Sequence, residues 1–232
     1  MFAALIALNT GVRGRLLWFV ALLVAYWVAL KFIPIPGFGA GDLTPGHTLT
    51  DFLDRQLIPG RLYRGDRDPV GLLGTVPAIS TALAGILTGD FLNKSRLGGY
   101  AKTSLMAAGG ALCMALALLW NVNFPINKNL WSSSFVLYCA GWSLLLLAAF
   151  YLVIDVWRIR KWTFFFVVIG SNSILIYMAQ QFIDFEFTTR FFFRGVLAQT
   201  DLLQPLLWAI CLFFVKWLML FLLYKKKIFL RV

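Results

Sequence analysis

The sequence predicts an all-α, polytopic transmembrane helix bundle, and three observations carry that prediction. Hydrophobic residues make up 60% of the 232-residue chain and charged residues 13%, a balance that leaves a soluble domain with more apolar surface than it can bury. Apolar runs recur at lengths near the roughly 17–25 residues with which a helix crosses a ~30 Å hydrocarbon core. Basic residues segregate between alternate connections. Together they give about six full spans behind an N-terminal half-span, all within a single membrane domain over residues 1–232.

Met1–Thr10 is an apolar run of about three helical turns, roughly 15 Å at 1.5 Å per residue and half of what the hydrocarbon core demands. A signal peptide carries its charge before the apolar region and small residues at a cleavage site after it, whereas Gly11–Val12–Arg13–Gly14–Arg15 follows here. The chain is therefore expected to begin inside a transmembrane segment. Full spans follow at about Leu16–Ile33, Leu72–Leu92, Thr103–Trp120, Phe135–Val156, Thr163–Ile183 and Leu202–Tyr224. The span from Leu72 is the least apolar, and its Gly85-xxx-Gly89 offers a flat face for close helix contact. Ala107–Ala108–Gly109–Gly110–Ala111, early in the next span, is its expected packing partner.

Three connections stand out. The loop over residues 34–70, expected on the extracytoplasmic side, opens with the turn-rich Pro34–Ile35–Pro36–Gly37. Within it Thr48–Leu49–Thr50–Asp51 resembles a capping box, and Leu49, Phe52, Leu53 and Leu57 share one face of a short helix that lies on the membrane or covers the bundle. It ends in the charge alternation Arg61–Leu62–Tyr63–Arg64–Gly65–Asp66–Arg67–Asp68–Pro69, readable as a self-paired solvated surface or as a binding site. The polar hinge Trp120–Ser134 has Trp120 and Trp131 as interfacial anchors. Residues 184–201 mix Phe191–Phe192–Phe193 with Arg190 and Arg194 and suit an interfacial segment.

The formal charge of +11 needs no nucleic acid to explain it. With the C-terminus inside, Arg13, Arg15, Lys94, Arg96, Lys102, Arg158, Arg160, Lys161, Lys225, Lys226, Lys227 and Arg231 lie on the cytoplasmic side. The outside bases are offset by Asp42, Asp51, Asp54, Asp66, Asp68, Asp184, Glu186 and Asp201. This obeys the positive-inside rule and returns both termini to the cytoplasm.

Familiar soluble-enzyme chemistry is missing. There is no HExxH, GxSxG or P-loop pattern, and Cys113, Cys139 and Cys211 lie inside apolar runs without metal or disulfide spacing. The lone histidine, His47, sits in a Gly- and Pro-rich loop and reads as solvated, so no residue is assigned a catalytic role and no metal site is expected. Polar groups at membrane depth are the remaining suspects. Lys216 has a stem long enough to snorkel, and Asp155 ends a span beside Arg158. Gly170–Ser171–Asn172–Ser173 places an amide and two hydroxyls in a membrane helix, where they require another helix, a cavity or a ligand as partner. Lys225–Lys226–Lys227 suits anionic lipid or the phosphates of a cofactor.

Several segments together resemble the heparan-α-glucosaminide N-acetyltransferase family and its bacterial relatives. They are Asp54–Arg55, residues 68–75 (Asp–Pro–Val–Gly–Leu–Leu–Gly–Thr), Phe124–Pro125–Ile126–Asn127–Lys128–Asn129–Leu130–Trp131–Ser132, Ile154–Asp155–Val156, residues 170–177 and Tyr224–Lys225–Lys226–Lys227–Ile228–Phe229. Val70 departs from the pattern, in which Glu usually follows Asp–Pro. The resemblance is to the family's C-terminal part. It implies transfer of acetyl from cytoplasmic acetyl-CoA to an amino sugar or glycan on the far side of a bacterial inner membrane. On that scheme Asn172, Ser173, Lys226 and Lys227 face the cofactor, while Arg64, Asp68, Asn127 and Lys128 face the sugar. The family's N-terminal half, with its acetyl-accepting histidine, has no match here, so this portion is expected to be inactive alone unless that half or a partner chain supplies it. The alternative is a non-enzymatic membrane scaffold or transporter-like bundle.

Overall fold

The computed structural model describes residues 1–65, 67–197 and 203–230, without the side chains of residues 196 and 197. Asp66, Asp201 and Arg231 of the charge balance, and Leu202 of the last span, lie outside the described residues. The chain divides into two compact units, Met1–Trp157 and Arg158–Val232. Among the described residues, five helices are long and apolar enough to cross a membrane, and the chain is a predominantly helical integral membrane protein.

In the first unit the half-span forms α1, Phe2–Asn9, followed by α2, Val12–Phe32. Asp90 anchors this region: its carboxylate pairs with Arg15, whose guanidinium also donates to the Ala7 carbonyl, and with Lys94 at 2.6 Å. After α2 a small antiparallel hairpin, β1 Pro34–Ile35 and β2 Gly39–Ala40, reverses the chain. The capping box predicted at Thr48 is present and opens α3, Leu49–Leu57. The Thr48 hydroxyl accepts from the Asp51 amide, and the Asp51 carboxylate accepts from the Thr48 amide, so two of the orphan donors of the helix start are satisfied. Leu49, Phe52 and Leu53 of α3 pack with Tyr26, Leu30, Ile35 and Phe124. Of the two positions the sequence leaves open for this helix, it covers the bundle.

Three long helices complete the unit: α4, Thr75–Lys94, α5, Gly99–Asn121, and α6, Ser133–Tyr151, which continues into a π-helical turn at Leu152–Val156. The closest pairing is α5 with α6. A Cβ on Gly110 would stand 2.9 Å from the Gly141 carbonyl oxygen, and one on Gly141 would stand 2.8 Å from that of Gly110. Two bare backbones therefore meet. By contrast, Gly85 and Gly89 of α4 have nothing within 4 Å of where a Cβ would be. The small-residue run of α5 thus serves α6 rather than α4, because Gly141 gives α6 a bare position opposite Gly110 that the α4 glycines do not meet.

The second unit contains α7, Thr163–Ser171, α8, Ser173–Ala179, α9, Phe185–Leu197, and α10, Gln204–Lys225. The span expected over Thr163–Ile183 is broken at Asn172, whose backbone (φ −138°, ψ 37°) leaves the helical region. Stacking of Phe165 on Trp217, and edge contacts of Phe164 with Phe221 and Tyr224, pair α7 with the C-terminal half of α10. Phe193 of α9 meets Phe214 of α10. Of the segment expected to be interfacial, residues 185–197 form α9, which packs along α10.

Candidate functional site

The first unit carries a polar cleft of about 70 Å³ at the end where the 34–70 loop and the Trp120–Ser134 hinge meet. The hinge is fixed from within. Asn121 Oδ1 accepts from the Ile126 amide at 2.8 Å, and Asn127 Oδ1 accepts from the Asn129 amide at 2.9 Å. Ser132 caps α6 and donates to the Pro125 carbonyl at 2.9 Å. It is also fixed from outside, since Ser133 donates to the Leu23 carbonyl at 2.7 Å and the Tyr26 hydroxyl to that of Leu130. The Asn127 side chain is therefore held in place before any ligand arrives.

The charged end of the 34–70 loop docks onto this hinge through one backbone bond, the Val70 amide donating to the Asn129 carbonyl at 2.6 Å. That bond accompanies two successive residues at positive φ, Val70 at 75° and Gly71 at 59°. A β-branched residue there is strained. Glycine follows for a steric reason: a Cβ on Gly71 would lie 2.0 Å from Asp54 Oδ2. A turn over Leu62–Gly65, closed by the Gly65 amide donating to the Leu62 carbonyl at 2.9 Å, presents Arg64, and Asp68 Oδ1 accepts from the Tyr63 amide.

Of the residues assigned to the sugar side, Arg64, Asp68 and Asn127 line this cleft together, while Lys128 is exposed on the hinge and is not among its lining residues. The sequence did not single out Arg67 and Asn129 as site residues, although both lie within the motifs that carried the resemblance or the charge alternation. Asp51 and Thr50 of the capping region also line the cleft, and only folding brings them there. Behind it sits Asp54, fully buried; Oδ1 accepts from the Leu72 amide at 2.8 Å, and Oδ2 has no partner among the described residues. Burial, reinforced by Asp68 and Asp51, pushes the Asp54 carboxyl above its ordinary range against the lowering effect of the Leu72 amide.

His47 is less solvated than expected. Its ring stacks on Phe38 at 4.0 Å between centroids, and Nδ1 lies 3.2 Å from Asp42 Oδ2. It ties the loop together. Among the described residues no group of His, Cys, Asp and Glu is placed to hold a metal ion.

In the second unit Asn172 is buried, and its amide is occupied by the chain itself. Nδ2 donates to the Ile228 carbonyl at 2.9 Å, while Oδ1 accepts from the Leu230 amide at 3.0 Å. One side chain thus imitates a β-ladder partner for the C-terminal tail. The tail reaches it because Lys227 takes φ 56° and the Ile228 amide donates back to the Leu223 carbonyl at 2.9 Å. Lys226 and Lys227 are exposed on this turn, and Ser173 is exposed on α8. Lys216 does not rely on snorkelling alone, since its ammonium donates to Gln180 Oε1 at 2.8 Å and lies 5.7 Å from the Phe185 ring centroid.

Against known proteins, the chain is 28% identical to human heparan-α-glucosaminide N-acetyltransferase across 92% of its own length. It is 29% identical to the mouse protein of that name across 90%. The chain resembles the C-terminal part of heparan-α-glucosaminide N-acetyltransferase. It spans 36% of the length of these N-acetyltransferases. No protein-family model matches the chain. Coverage at this level takes in residues of both units.

Proposed function

We propose that this chain is the C-terminal portion of a membrane acetyltransferase-like protein that moves acetyl from cytoplasmic acetyl-CoA to an amino sugar across a bacterial inner membrane. The observation that carries the reading is the convergence of Arg64, Asp68 and Asn127, from two separate loops, on one preorganised cleft. Guanidinium, carboxylate and amide together offer donors and acceptors suited to the polar groups along one edge of a sugar at the mouth of the cleft. Lys226 and Lys227, exposed on the turn after the C-terminal end of α10, suit the phosphates of CoA. Asn172 acts by holding the tail that carries this turn, with Ser173 beside the break, and Lys128 meets the sugar from the rim.

In the reaction the neutral amine takes the acetyl carbonyl, the C–S bond breaks, and a base carries the proton that the nitrogen loses to the departing thiolate, so that CoA leaves as the thiol. No side chain of this portion is assigned as that base or as an acetyl carrier. We therefore expect the chain to be inactive without a histidine-bearing N-terminal half or a partner chain that supplies it. Titration of the purified protein with acetyl-CoA tests the cofactor side: K226Q/K227Q should weaken binding at least tenfold, and unchanged affinity would remove the lysines from the site. Glucosamine titrated into Asp68→Asn should likewise lose affinity at least tenfold, and no change would remove the cleft from the scheme.

A further inference from the structure

We propose that the groove between α9 and the first turns of α10 binds one anionic phospholipid, its phosphate held by Arg190 and Arg194 and its acyl chain lying along Phe187 and Phe191. The groove has a volume of about 950 Å³, within the size range of small-molecule sites. Its depth follows from α10. At 1.5 Å per residue this 22-residue helix runs about 33 Å, enough to place its two ends at opposite membrane surfaces. Pro205 and Trp208, which line the groove, occupy the first turns, opposite the Lys225–Lys227 end. The groove therefore sits at headgroup level.

Its two walls differ in chemistry, as the two parts of a phospholipid do. Arg190 and Arg194 are one helical turn apart and project from one stripe of α9, and Phe187 and Phe191 form the adjacent stripe. The phenylalanines are 68% and 73% exposed, and two such rings left open beside paired arginines suit a molecule that is apolar at one end and anionic at the other. The stripe of α9 that faces the bundle is taken, with Phe185 and Thr189 buried and Phe193 against Phe214. The Arg190 guanidinium lies 5.4 Å from the Trp208 ring centroid, a cation–π contact that restrains its planar donors while leaving them able to meet phosphate oxygens in pairs. Glu186 approaches Arg190 only at 3.9 Å, with both side chains largely exposed, a weak pairing that leaves the groove net positive. Trp208 is also the residue type that favours the headgroup layer.

The test is native mass spectrometry of the delipidated, purified chain titrated with dioleoylphosphatidylglycerol or dioleoylphosphatidylcholine. One phosphatidylglycerol should bind at least tenfold more tightly than phosphatidylcholine. R190Q/R194Q should abolish that preference, Arg194→Gln alone should reduce it at least threefold, and R13Q/R96Q, which removes basic charge elsewhere, should leave it intact. Equal binding of the two lipids overturns the proposal. So does a preference that survives in folded R190Q/R194Q or, should that variant not fold, in Arg194→Gln. Displacement of the lipid by millimolar glycerol phosphate also overturns it, since the groove would then be an anion site without a lipid.

Discussion

Asp54 shows how a single carboxyl can carry information that its neighbours in sequence do not. It sits one turn along α3 from Asp51, yet Asp51 is satisfied by the capping box while Asp54 keeps one oxygen unpaired beside Gly71. Its folded pKa lies above the unfolded value, so its contribution to stability is fully present below about pH 3.9 and is lost as pH rises through the folded value. Asp54→Asn removes that loss while keeping an oxygen to accept from Leu72. Thermal melts of detergent-solubilised protein should therefore show the Asn variant gaining on the wild type as pH rises from 4 to 8. A constant difference over that range would mean that Asp54 is ionised at no extra cost. The Asn variant keeps Tyr26, Asp51 and Asp68, the neighbours that interact with Asp54 electrostatically, in place.

Between elements, glycine spacing was a poor guide to which helices meet. Gly85-xxx-Gly89 reads as a packing face, yet it borders a largely apolar groove of about 530 Å³ that Phe19, Ser143 and Leu144 also line. The working contact is Gly110 on Gly141, two glycines on different helices that no intrahelical spacing identifies. Gly141→Ala should destabilise the first unit by about 1–3 kcal/mol through overpacking, because the added Cβ meets carbonyl and amide backbone atoms that cannot yield. Gly85→Ala and Gly89→Ala should stay within about 0.5 kcal/mol, the range of changes away from close contacts. Parallel melting curves of the three variants check the contrast, and equal losses would mean that the α4 glycines are engaged after all. The break at Asn172 belongs to the same scale. Asn, Ser and Gly in an apolar run announced a polar requirement, but not that a returning tail would meet it.

For the molecule as a whole, the charge bias and the placement of the loops make one prediction. The Val70–Asn129 bond brings the 34–70 loop and the hinge together at one end of the first unit, and the proposed orientation, which rests on the balanced charge of that loop, puts this end outside. In a variant with Cys113, Cys139 and Cys211 changed to Ala, a cysteine placed at Arg61 should react with a membrane-impermeant maleimide in intact cells. One placed at Arg96 should react only after permeabilisation. The reverse pattern would invert the topology, and with it the side on which sugar and acetyl-CoA are expected.

Length and apolarity were enough to set the helical membrane class, the positions of five spans and the short α3 with its capping box, because backbone groups in hydrocarbon must bond within their own segment and a cap is a local motif. The family resemblance, rather than composition, put Arg64, Asp68, Asn127 and Lys128 on the sugar side; the charge alternation alone left a self-paired surface and a binding site both open. Folding decided what those residues are near. It joined two loops well separated in sequence into one cleft, buried Asp54, chose Gly141 as the partner of Gly110, broke the span at Asn172 and laid α9 along α10. Each of these depends on groups distant in sequence meeting in space, which hydropathy, a running sum over neighbours, does not encode.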